Sequence, residues 1–123
     1  MASEHWQDQP DHHDFAAARS YLSLLVEPDR AKKLARALER SSSLEHFKAK
    51  DVLRASGLPL LPADDPEVAK DLAKVRDGVR LSPVLLVRGE PLWIADGYHR
   101  VCASYHLDEN VEVPSRVVPR GLP

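Results

Sequence analysis

Apolar residues change their spacing several times along this chain, and each change predicts an element. Phe15, Ala18, Leu22 and Leu25 recur at helical intervals behind Asp14, a candidate N-cap, and Glu27-Pro28 breaks that helix. Pro28 suits the first position of a second helix, whose apolar stripe is Ala31, Leu34, Ala35 and Leu38. Ser41-Ser42-Ser43 ends this helical hairpin, and Ser42 with Glu45 fits a capping box for a short following turn. Residues 47–49 then read as a short strand and residues 51–54 (DVLR) as a turn of helix. Prolines keep residues 57–62 extended. Asp65-Pro66-Glu67 starts a further helix with Val68, Leu72 and Val75 as its buried stripe, closed by Asp77-Gly78.

The second half is organised around Ala95-Asp96-Gly97-Tyr98-His99-Arg100. Residues 83–88 (PVLLVR) predict a strand, Gly89-Glu90 a turn, and residues 91–95 (PLWIA) a second strand. The period then becomes helical, with Tyr98, Val101, Cys102 and Tyr105 on one face. Residues 108–110 form a turn before a last strand over 111–118, which Pro114 makes an edge or interrupted strand. The expected organisation is a frayed tail over 1–13, a helical extension over 14–46, a mixed α+β domain over 47–118 and a tail over 119–123.

Composition narrows the function classes. A chain of 123 residues that is 43% hydrophobic can bury one core. Its 17 basic and 19 acidic residues leave a net charge of −2. That balance gives no global case for DNA or a membrane surface, and leaves nucleic acid to local patches such as Lys32, Lys33, Arg36 and Arg40. A single cysteine excludes an internal disulfide and fits a reducing compartment. With neither a membrane-length apolar run nor a signal-peptide pattern, the expected location is the cytoplasm. His5, His12 and His13 lack the accompanying cysteines or ordered carboxylates of a zinc site, so no metal site is assigned to them.

The strand-to-helix turn carries the candidate chemistry. A helix's first turn exposes unpaired backbone amides and the positive end of its dipole. Gly97 would let a ligand approach the backbone, Arg100 adds a bidentate donor, and His99 a second one. Together they describe an anion site, most naturally for phosphate. The alternative is that Asp96 only caps the helix and His99 and Arg100 are solvated.

Three ordered segments, Asp77-Gly78-Val79-Arg80-Leu81-Ser82-Pro83-Val84-Leu85-Leu86-Val87, then Asp96-Gly97-Tyr98-His99-Arg100, then Val113-Pro114-Ser115-Arg116-Val117-Val118, resemble the ParB/sulfiredoxin-like superfamily. The resemblance implies a small mixed sheet of that type, with the N-terminal helical hairpin as an addition. It also implies a nucleotide phosphate site at the turn, with Gly97, Tyr98, His99 and Arg100 as its binding residues. Arg54 would correspond to a sulfiredoxin arginine. The implied ligand is a nucleoside triphosphate or diphosphate (ATP, ADP or CTP), with Mg²⁺ as a companion ion. Tyr98 stands where sulfiredoxins carry the catalytic cysteine, and Cys102, on the buried face, should be inert. His99 replaces an arginine of the ParB clamp, and no helix-turn-helix follows. Neither sulfiredoxin chemistry nor centromere binding is therefore expected.

A phosphotransferase or nucleotide hydrolase would need a carboxylate base, for which Asp64, Asp65, Glu67 and Asp96 are available. Asp65 and Glu67 already serve a helix start, so Asp96 is the catalytic candidate. A reading from another class is a non-catalytic module whose N-terminal helices dock a protein or nucleic acid. A nuclease would need a carboxylate cluster that the sequence does not locate. A homodimer is left open.

Overall fold

A computed structural model describes residues 5–121. Its elements run α1 (His12–Leu22), α2 (Pro28–Arg40), β1 (Glu45–Lys48), α3 (Ala49–Ser56), α4 (Pro66–Arg76), β2 (Val84–Arg88), β3 (Trp93–Asp96), α5 (Tyr98–Leu107) and β4 (Glu112–Pro119). The strands form one mixed sheet in the order β1-β4-β2-β3. β4 pairs antiparallel with β1 and parallel with β2, and β2 pairs antiparallel with β3. The fold is α+β, and the N-terminal helical hairpin is present.

Both faces of the sheet are covered. Val84 and Leu86 of β2 enter one apolar cluster with Val52, Val68, Val101 and Cys102, from α3, α4 and α5. Leu85 and Val87 point the other way, into a cluster with Ala18, Leu22, Leu34 and Leu38 from α1 and α2. Burial on both faces is why β2 reads as an unbroken apolar run rather than an alternating one. It also means that the hairpin's apolar stripe covers the second side of the sheet.

The chain departs from its sequence pattern at several places. Residues 1–13 are not uniformly frayed: Trp6 is 3% exposed, and its neighbours pair with Leu81 through Gln7 N–H to Leu81 O and Leu81 N–H to His5 O. One indole contributes enough apolar surface to hold a polar segment against the core; residues 1–4 lie outside the described residues. α1 starts two residues before Asp14, behind Asp11 as N-cap, and it ends at Leu22, leaving Leu25 exposed. No helix follows Ser42, because β1 begins at Glu45 and continues to Lys48, and Ala49 already opens α3.

β4 is an interior strand, not an edge. Pro114 lies opposite His46 of β1, one residue before β4 meets β2 at Val84↔Ser115, so the imide nitrogen precedes the β2 ladder. Arg116, in the same strand, is buried and donates to the Leu38 and Glu39 carbonyls at 3.1 and 2.8 Å, closing the C-terminus of α2. Past β4, Arg120 is anchored too: its guanidinium lies 3.6 Å from the centre of the Trp93 ring.

Candidate functional site

The turn at 96–98 is built from a strand end and a helix start. Asp96 is the last residue of β3, and the N-cap of α5 is Gly97, not Asp96. Gly97 has φ +107°, and a Cβ there would lie 2.5 Å from Val84 Cγ1 and 2.9 Å from Arg100 Nη2. Glycine is therefore required by the left-handed backbone and by the side chains packed over it. No side chain caps the first amides of α5.

Arg100 turns back over this glycine. Its Nη2 donates to Asp96 Oδ2 at 3.1 Å and to the Pro83 carbonyl at 3.3 Å, and lies 3.8 Å from Asp14 Oδ2. Asp14 Oδ2 also accepts from Ser82 Oγ at 2.7 Å and from the Asp11 amide at 3.2 Å. The network ties α1 to the turn and engages one end of the guanidinium. Burial pushes the Asp96 carboxyl above the usual carboxylate range; Arg100 opposes that, and Asp14 adds to it.

Asp96, Gly97, His99 and Arg100 line one wall of a polar cavity of about 180 Å³. The opposite wall is one face of α4, where Glu67, Lys70, Asp71 and Lys74 recur at helical spacing. Asp71 is 8% exposed, and no hydrogen bond or ion pair reaches its carboxylate among the described residues. Burial pushes its carboxyl upward, only partly offset by Arg100, Lys74 and His99. Lysines, imidazole and uncapped helix amides thus surround a space that also holds unengaged carboxylate oxygen. Such a set can receive a phosphate, and its carboxylates can take a divalent cation alongside.

The other sequence candidates lie apart. Tyr98 turns away from this cavity's lining, packs against the core cluster and donates its hydroxyl to the Pro59 carbonyl. Arg54 is exposed on α3, pairs with Asp51 at 3.2 Å and does not line the cavity. Asp65 is occupied as the N-cap of α4, accepting from the Glu67 and Val68 amides. Cys102 is fully buried, and burial raises its thiol. Asp11, His13 and Asp14 each place one ligand atom within 4.8 Å of the others; Ser82 and the Asp11 amide engage Asp14 Oδ2, while its Oδ1 lies 3.4 Å from His13 Nε2.

Lys70, Asp71 and Lys74 were not marked by the sequence reading. Asp71 could have been found, because it falls within the stripe Val68, Leu72, Val75, where a charge has no packing reason to be. No family model, curated protein or solved structure matches this chain.

Proposed function

We propose that this chain binds the phosphate groups of a nucleotide in the cavity between α4 and the start of α5. The observation that carries the reading is the convergence of Lys70, Lys74 and His99 on the uncapped N-terminus of α5. The resemblance of the turn to nucleotide-binding ParB/sulfiredoxin-like domains supports it independently. Gly97 and His99 keep the binding roles that the resemblance implies, while Arg100 acts chiefly by holding Asp96 and the turn in place.

Mg²⁺ fits the donor set as a companion ion. It is usually bound through one or two carboxylates plus substrate phosphates, and Asp71 has free oxygens beside Glu67. When bound it would offset the negative charge that these carboxylates bring near a phosphate. For a phosphotransferase or hydrolase, Asp96 is engaged by Arg100, so of Glu67 and Asp71 one would hold the cation and the other accept the proton. The alternative is an interaction module using the N-terminal helices; with the apolar stripe of α2 covered by the sheet, its partner would meet the charged side of α2 or the exposed Leu24 and Leu25.

Thermal unfolding against ATP, ADP, CTP, GTP and phosphate, each with and without Mg²⁺, tests the reading. A ligand at 100 times its dissociation constant adds about 2.7 kcal/mol, a plain rise in melting temperature. The rise should be lost in the double variant Lys70→Ala/Lys74→Ala, whose side chains stand on the helix surface. A protein whose melting no ligand in this set changes is not a nucleotide-binding domain.

A further inference from the structure

We infer that Asp11, His13 and Asp14, at the start of α1, form a binding site for a divalent transition-metal ion of the zinc type. In the sequence, His13 belongs to a polar stretch whose carboxylates have no evident order. The fold orders them: one ligand atom from each of the three residues lies within 4.8 Å of the other two. None of the three lines the cavity between α4 and α5, so the site does not rest on the nucleotide reading.

The spacing suits an ion better than a direct bond. His13 Nε2 lies 3.4 Å from Asp14 Oδ1, longer than an ordinary N–H···O hydrogen bond of about 2.7–3.2 Å. Two ligand atoms held about 2.0–2.1 Å from a tetrahedral zinc ion stand about 3.3 Å apart, close to that separation. Asp11 is half-buried and can close the remaining gap by side-chain rotation, with water in the fourth position. An imidazole among the donors favours zinc and its transition-metal neighbours over Mg²⁺ or Ca²⁺.

Both carboxylates are held from behind. Asp14 is 3% exposed, and its Oδ2 accepts from Ser82 Oγ at 2.7 Å and from the Asp11 amide at 3.2 Å. Its Oδ1 is the oxygen turned towards His13. Gln7, with its side-chain amide oriented as its neighbours require, donates to Asp11 Oδ1 at 3.0 Å. Outer donors of this kind fix the direction in which a ligating carboxylate points. The two supports share one anchorage, since Gln7 N–H also donates to the carbonyl of Leu81, next to Ser82, at 2.7 Å.

The local charge has to overcome two positive groups. The N-terminus of α1 repels a cation, and Arg100 lies 3.8 Å from Asp14 Oδ2. Arg100 is on the Oδ2 side and is paired with Asp96 at 3.1 Å, which leaves the Oδ1 side to the two carboxylates and the imidazole. The His13 side chain is 82% exposed, so an ion can enter from solvent.

The test is calorimetry of zinc chloride into the full chain, stripped by chelator, for wild type, His13→Ala, Asp11→Asn and His12→Ala. Asparagine remains a good N-cap and both histidines are exposed, so none of these changes empties the core. His13→Ala and Asp11→Asn should each weaken zinc at least about tenfold, the scale of losing even an outer partner, while His12→Ala stays within about twofold. Zinc should also raise the melting temperature of the wild type and not of His13→Ala, and Mg²⁺ without nucleotide should raise neither. Zinc binding undiminished in His13→Ala, equal losses in His12→Ala and His13→Ala, a response to Mg²⁺ matching that to zinc, or no zinc binding by the wild type would each overturn the site.

Discussion

Arg100 reaches back one helical turn to Asp96, Nη2 to Oδ2 at 3.1 Å, and the same nitrogen lies 3.8 Å from Asp14 on α1. The three side chains are 16%, 19% and 4% exposed, so this is an interior charge cluster. One cation there serves two carboxylates on different elements.

Arg100→Ala should therefore destabilise the fold by about 3 kcal/mol, because it leaves two carboxylates without their cation. Urea denaturation measures the loss. Arg100→Lys should recover only part of it, since one ammonium cannot reproduce the planar fork. A loss below about 1 kcal/mol would assign the cluster the weight of a surface pair.

Gly97→Ala combines a left-handed backbone with a Cβ placed 2.5 Å from Val84 Cγ1. Strain and overpacking together should cost about 2–4 kcal/mol. The melting temperature reports the cost, and a neutral result would mean that the turn relaxes freely.

Asp71 gives a pH signature. Burial raises its carboxyl above the value of about 3.9 that it has in an unfolded chain. Between those two values the folded protein holds more protons than the unfolded one, so this group's contribution to stability falls as pH rises through the window. Asp71→Asn should thus be more stable than wild type at pH 7, with the advantage shrinking towards pH 4. Melting curves at the two pH values, without ligand, check the sign, and a variant less stable at pH 7 would refute it.

Trp6→Ala should cost about 3–5 kcal/mol, the usual range for emptying a buried aromatic site. Chemical denaturation of the full chain measures it. A loss near zero would return residues 5–7 to the frayed tail that their composition suggests.

The parts legible in the sequence are those with long, strict periodicity. The stripes Ala31/Leu34/Ala35/Leu38 and Val68/Leu72/Val75 placed α2 and α4, and the change of period after Ala95 placed the turn. What escaped depends on contacts distant in sequence. Trp6 is one apolar residue in a polar stretch, and only its meeting with Leu81 makes it core. Pro114 is a sound edge signal locally, overruled because β2 begins pairing one residue later. The α4 wall of the cavity was hidden because Glu67, Lys70 and Lys74 read as an ordinary solvated helix face, which drew attention away from Asp71 inside the apolar stripe.

The interior position of β4 has a consequence for how the protein is made. Glu45 is paired with Ser115, and Val84 with that same Ser115, so two earlier strands are joined only by a later one. During synthesis, at about 5–20 residues per second, β1 and the β2–β3 hairpin leave the ribosome with nothing between them. Their facing edges stay open until residues 112–119 arrive. A nascent chain stalled before that point would present two bare strand edges to its neighbours, so the strand that protects the others from self-association is the fourth of this sheet in chain order.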